Sequence, residues 1–215
     1  MANRAPRLDP VTLSGLVDAD LDDFLPGDRR EGERIARADL AGRTLPDVEF
    51  LECAIDSAAI EGLKARGARL LECTIANADG AVLSAPSGTL RDVELTHSRI
   101  GSAELYDGRW DRVLVSDCKL GYVNLRGSAL IDVVFEDCRI DELDLGQARA
   151  TRVSLAGCRI DTLDVTGATL RDVDLRGVEL TRITGIGGLA GAIVDEDQLL
   201  RLAPLLAGHL GITVA

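Results

Sequence analysis

With 215 residues, 46% of them hydrophobic, the chain is long enough to bury a core as one domain. Its 36 acidic residues outnumber 24 Lys and Arg, giving a net charge of −12, which argues against direct binding of nucleic-acid phosphates or an anionic membrane, since both need a basic surface. A partner that is itself basic remains open, and no apolar run approaches the length of a membrane span.

The opening MANRAPRLDPVTL lacks the long apolar core of a signal peptide, so a cytoplasmic location is expected. Leu13, Leu16, Val17, Leu21, Phe24 and Leu25 then recur at roughly helical spacing, with Asp18, Asp20, Asp22 and Asp23 among them, before Pro26-Gly27 breaks the chain. Residues 1–30 therefore carry two readings: an amphipathic cap over the element that follows, or an acidic arm that contacts a basic partner.

From residue 31 to 185 the sequence counts in fives. In blocks ending at multiples of five it reads ARADL AGRTL PDVEF LECAI DSAAI and later RDVEL THSRI GSAEL YDGRW DRVLV SDCKL GYVNL. An apolar residue closes nearly every block and a small or aliphatic one stands two places before it. The mean apolar step of about 2.5 residues fits neither the strand period nor the helix period. A longer period lies above this one. Cys53, Cys73, Val93, Val113, Val133, Val153 and Val173 form one column of like residues, and Ala58, Ala78, Ser98, Cys118, Cys138, Cys158 and Val178 a second. Leu63, Leu83, Ala103, Val123, Leu143 and Leu163 make a third, and Ala68, Gly88, Gly108, Ser128, Ala148 and Ala168 a fourth. Residues twenty apart must stack, so the chain turns once per four blocks: an all-β, square-sided solenoid.

The blocks ARADLAG and GYVNLRGSAL resemble those of the pentapeptide-repeat proteins, whose motif is a small residue, Asp or Asn, Leu or Phe, then two polar residues. The phase holds throughout 31–185, although Arg, Thr, Glu or Ala often replaces the Asp or Asn. The resemblance implies a right-handed quadrilateral parallel β-helix.

The five cysteines, Cys53, Cys73, Cys118, Cys138 and Cys158, all take the inward small position. They read as buried free thiols rather than a metal or redox site. Gly80 interrupts the inner stack of Leu40, Ile60, Ile100, Leu120, Ile140, Ile160 and Leu180, which marks 78–88 as the weakest stretch and a place for a bulge. Outward positions carry the candidate sites. Asp92, Arg112, Asp132, Arg152 and Asp172 alternate in sign, one per coil, as a ladder of ion pairs that fixes register. Arg99, Lys119, Arg139 and Arg159 form a basic stripe, and Glu104, Asp141, Glu142, Asp144, Asp161 and Asp164 a candidate acidic, partner-binding patch. Both are contact surfaces or merely solvated faces. Leu114, Ile131 and Val134 are apolar yet outward by phase, a candidate contact patch for a partner or a second copy.

Residues 186–215 leave the repeat. GIGGLAG reads as a flexible joint rather than a dinucleotide loop, because no βαβ unit surrounds it. Asp195 is placed to cap a helix with Gln198 completing a capping box. Leu199, Leu202, Ala203, Leu206 and Leu210 supply its apolar face, Pro204 should kink or split it, Gly211 should end it, and 212–214 should extend as a tail. This segment is expected to close the last coil. VDEDQLLRLAPLLAGHLGITV resembles the C-terminal helix and tail of the gyrase-interacting, quinolone-resistance subgroup of the same family. That resemblance implies a homodimer through Leu206, Leu210, Ile212 and Val214.

His97 and His209 have no His or carboxylate partner at metal spacing, and no nucleophile elbow or phosphate loop occurs. No metal, cofactor or enzymatic activity is expected. Two functional readings stand. One is a DNA-mimicking regulator or protector of a type II topoisomerase, DNA gyrase, formed by an acidic rod about 36 Å long at about 4.8 Å per coil. The other is a structural scaffold for an unidentified protein partner.

Overall fold

A computed structural model describes residues 4–19 and 24–212. Residues twenty apart pair as neighbours on parallel strands: Arg109 lies between Thr89 and Ala129, Val113 between Val93 and Val133, Leu120 between Ile100 and Ile140. The chain is thus a parallel β-solenoid. The ladder of its larger sheet passes through ten rungs, from Val17–Asp18 to Ala192–Ile193, and a 7-stranded sheet covers another side. Nine steps of about 4.8 Å make a rod of about 43 Å. That exceeds the length expected from the repeat alone because both ends add rungs outside the twenty-residue register. Val17 pairs with Glu33 and Val173 with Ala192.

The two inward residues of each block account for the core. Cys53, Cys73, Val113, Val133, Leu143, Leu163 and Ala148 are all 0% exposed, and burying each larger aliphatic contributes about 1.5–3 kcal/mol. Between inward residues the backbone must turn sharply. Glu52, Glu72, Asp92, Arg112, Asp132, Arg152 and Asp172 have φ between 52° and 54°, a left-handed conformation that residues with a Cβ adopt at a cost. Repeated once per coil, this bend carries a strand such as Arg109–Ser116 round a corner without breaking its ladder.

The stretch around Gly80 is a strand, Asp79–Ser84, in unbroken register with Arg99–Glu104. A Cβ on Gly80 would lie 2.8 Å from Glu61 N, so the missing side chain lets two coils approach. The irregularity expected there is small and local. Gly62 N donates to Val82 O, whereas the equivalent Gly42 N donates to Glu61 O, one residue less along the chain.

Both ends differ from the sequence-based expectation. Residues 4–19 contain no helix; they run extended, with Val17–Asp18 paired to the first coil. Helical spacing of the leucines misleads here because an edge of unpaired strand groups was available and a short helix is marginal alone. Phe24, 1% exposed, is what covers the first coil: its ring lies 6.2 Å from that of Phe50, and Arg30 sits 4.7 Å above it. Asp20, Leu21, Asp22 and Asp23 lie outside the described residues. At the other end a 3₁₀ turn, Ile186–Leu189, leads to helix α1, Glu196–His209. Pro204 does not split α1, which is continuous across it.

Candidate interaction surface

The acidic patch divides into two kinds of carboxylate. Asp144 Oδ1 accepts from Gly146 N at 2.7 Å and Asp164 Oδ1 from Thr166 N at 2.7 Å, as Asn124 does from Arg126 N and Asp174 from Arg176 N. Each is an Asx turn, in which the side chain bonds the backbone two residues on and shapes the corner. Asp144 is only 5% exposed, and Arg126 Nη2 reaches it at 3.0 Å and Asp164 at 3.4 Å. Burial acts to raise the Asp164 carboxyl, but its hydrogen bonds from Thr166 hold it below the ordinary value. Desolvation beside Asp144 pushes the Tyr122 hydroxyl upward. Glu104 accepts from Asn124 Nδ2 at 2.6 Å. These three acids are therefore engaged within the coil stack. Asp141 and Glu142 are exposed and Asp161 half-exposed. The sequence carries a signal for the division: Asp144-Leu145, Asp164-Val165 and Asp174-Leu175 all put the acid immediately before the residue that closes a five-residue block, whereas Glu142 precedes the other inward position, Leu143.

The basic stripe is a true column, with Lys119 between Arg99 and Arg139, and Arg159 below them. Carboxylates edge it. Arg139 lies 3.8 Å from Asp141 and Arg159 3.6 Å from Asp161, while Asp117 and Asp137 are exposed on the opposite corner. His97 approaches Asp117 at 4.0 Å. Arg99 and Lys119 pair with no carboxylate among the described residues; the corner after them carries Gly101 and Gly121. A Cβ on Gly121 would lie 2.1 Å from Gly101 O, so close coil contact excludes an acid at that corner.

The alternating column resolves into separate bidentate pairs. Arg112 binds Asp92 at 2.5 and 2.8 Å, and Arg152 binds Asp132 at 2.6 Å through both Nε and Nη2. Beside it, Leu114 and Val134 are half-buried and Ile131 is 43% exposed. The chain's own N-terminal segment lies along this face. Arg7 N donates to Asp132 Oδ1 at 3.0 Å and Val11 N to Glu94 Oε1 at 2.9 Å.

Helix α1 touches the last coil through a polar residue. Gln198, 4% exposed, donates from Nε2 to Leu175 O at 2.6 Å and Val178 O at 3.0 Å, and it completes the capping box with Asp195. Of the anticipated apolar face, Leu202 and Leu206 are half-buried, but Leu199, Ala203 and Leu210 are exposed. The inner face carries Leu202 and Leu206 but is anchored by a hydrophilic residue, Gln198. Leu200, Leu205 and Ile212 join the exposed set at 74%, 51% and 57%. Gly211, at φ 72°, ends the helix in a Schellman motif, with Ile212 N donating to Ala207 O at 2.8 Å. Val214, like Thr213, lies outside the described residues.

All five cysteines are free and buried. The hydrogen bond with its stacked neighbour, then burial, raises the thiols of Cys73, Cys118 and Cys158 above the ordinary range. Among the described residues no group of three His, Cys, Asp or Glu could hold a metal ion, and no helix is long and apolar enough to cross a membrane.

Five-residue blocks, four to a coil, in a twenty-residue parallel register define the pentapeptide-repeat fold, and this chain has it. Among solved structures, a trypsin-treated variant of QnrB1, a plasmid-mediated fluoroquinolone resistance protein, is similar at 18% identity and TM-score 0.37, over 92% of this chain and 96% of that one. HetL, a pentapeptide repeat protein involved in heterocyst differentiation regulation from the cyanobacterium Nostoc sp. strain PCC 7120, is similar at 17% identity and TM-score 0.34, over 78% and 90%. No protein-family model and no curated protein matches the chain.

Proposed function

We propose that the chain is a non-enzymatic interaction rod whose exposed carboxylates dock on a basic protein surface, and that this surface is the DNA-binding saddle of a type II topoisomerase, DNA gyrase. The observation that carries the reading is the pair of acidic edges repeated from coil to coil, Asp117 with Asp137 and Asp141 with Asp161. Set about 4.8 Å apart along a rigid column, they present a regular row of negative charge at no ordering cost when a partner binds. The resemblance of the C-terminal segment is what points to gyrase among basic partners, and a tail-to-tail homodimer through Leu206, Leu210, Ile212 and Val214 belongs to the same reading.

The test is a gyrase supercoiling assay with and without a quinolone. Salt-sensitive binding and altered supercoiling or drug protection are expected, with Asp141→Lys combined with Asp161→Lys weakening both. No effect on supercoiling in either condition removes the gyrase assignment. The basic stripe favours the second reading, a scaffold for another protein partner, because four stacked cations interrupt any uniform phosphate-like surface.

A further inference from the structure

The contact surface anticipated around Leu114 already has an occupant, and it comes from the same chain. Residues 4–16 cross the coils along the rod axis rather than joining the ladder. They bond to the body from backbone N–H groups to side-chain carboxylates: Arg7 to Asp132 and Val11 to Glu94, separated in sequence by 125 and 83 residues. Asp132 and Glu94 are two coils apart, about 9.6 Å along the axis, and four extended residues span about 13 Å. The arm therefore measures the face obliquely, with Leu8, Pro10 and Val11 on one side of a cavity whose other side includes Arg112 and Leu114. The fit is loose. A cavity of about 120 Å³ remains between arm and coil, and no residue of 4–18 is fully buried, Pro6, Leu8, Val11, Leu13 and Leu16 being half-buried.

We propose that this face is a peptide-docking groove, and that the N-terminal arm is its pseudo-ligand, held in cis and displaced by an extended, proline-bearing aliphatic segment of a partner protein. The chemistry of the ligand is read from the arm itself. It needs two backbone N–H groups four residues apart to meet Asp132 and Glu94, with an aliphatic residue and a proline between them, as Leu8 and Pro10 are, to line the cavity beside Leu114. Pro10, which has no N–H to leave unsatisfied and a restricted φ, lowers the entropy lost on docking. The carboxylates accept backbone donors from any such segment, so the groove selects shape and polarity more than identity. Occupation in cis sets a threshold: a tethered arm competes at an effective concentration in the millimolar range, so only a segment of higher affinity, or one presented by a partner already bound elsewhere on the rod, enters.

The test uses the full-length chain carrying Leu8→Asp and Val11→Asp, which weaken the arm and leave the groove intact. A dye-labelled synthetic peptide of residues 4–14 is titrated by fluorescence anisotropy. Binding should be about tenfold or more tighter to this variant than to the unmodified chain, and Glu94→Gln with Leu114→Asp in the same background should remove the gain. Equal or absent binding to both chains overturns the proposal. Amide exchange on the unmodified chain gives a second reading that needs no variant. Arg7 and Val11 should exchange about a hundredfold or more faster than Val113 and Val133, because the arm opens without the coils; equal protection refutes a displaceable arm. A doubled mass in light scattering that Leu8→Asp and Val11→Asp abolish would show the arm exchanged between two copies, and would overturn occupation in cis.

Discussion

Asp132 shows how much the solenoid asks of single residues. Its backbone is left-handed at φ 54°, and its carboxylate accepts two bonds from Arg152 and one from Arg7 N, with the residue only 6% exposed. The hydrogen bond from Arg152 is the largest influence on this carboxyl and outweighs burial, holding it below its ordinary value. A depressed folded value means the contribution to stability is full above the unfolded-state value of about 3.9 and fades as pH falls through the folded one. Asp132→Asn separates charge from conformation, since Asn tolerates the left-handed region. It should cost about 1–2 kcal/mol at neutral pH and flatten the loss of stability below about pH 4, both readable from urea unfolding at stepped pH. The cysteines give a second residue-scale outcome. All five are buried, so a thiol reagent should label none in the native chain and all after denaturation; rapid native labelling would show that the column opens.

At the scale of elements, stability is local because each coil contacts only its neighbours. Gln198 secures the C-terminal end by donating to Val178 O and to Leu175 O, the latter also accepting from Val178 N. Gln198→Ala removes both side-chain bonds and takes from Val178 O its donor, at about 1–3 kcal/mol. Hydrogen exchange should rise in α1 and in Thr169–Asp174 while Arg109–Ser116 keeps its protection; uniform loss throughout would mean that the rod melts as one unit. The same residue explains what could be read beforehand. Inward columns were legible because twenty-residue likeness among Val113, Val133 and Val153 is a property of sequence alone. The Asx turns were legible in principle from an Asp or Asn just before the residue that closes a block, as Asp144 precedes Leu145. Neither the anchoring of α1 by a buried amide nor the path of the arm was, since hydrophobic patterning does not register a polar anchor, and no local signal pairs Arg7 with Asp132.

For the whole molecule, the ends decide what a solenoid becomes. A β-helix end that is not covered invites stacking by another chain, and here the two ends are treated differently. Phe24 is buried at the first coil, its ring tilted against Phe50, with Arg30 and Arg43 against it. The C-terminal end is covered by a helix that turns Leu199, Leu200, Leu205, Leu210 and Ile212 outward, with Leu200 74% and Leu210 71% exposed. Exposed leucines on a lone terminal helix are a poor surface for water and a suitable one for a second copy, because a two-fold contact meets leucine with leucine. Two rods of about 43 Å joined at this end would make one of about 86 Å. The expected outcome is a dimeric mass in light scattering that Leu200→Asp with Leu205→Asp reduces to the monomer. Far-UV circular dichroism and the emission of buried Trp110 should not change, since neither leucine supports the coils. If the doubly substituted chain and the original both scatter as monomers, the exposed leucines serve a different partner and the rod acts at its shorter length. If the original is dimeric and the substituted chain remains so, the contact lies elsewhere, and the basic stripe between its acidic edges becomes the surface to change next.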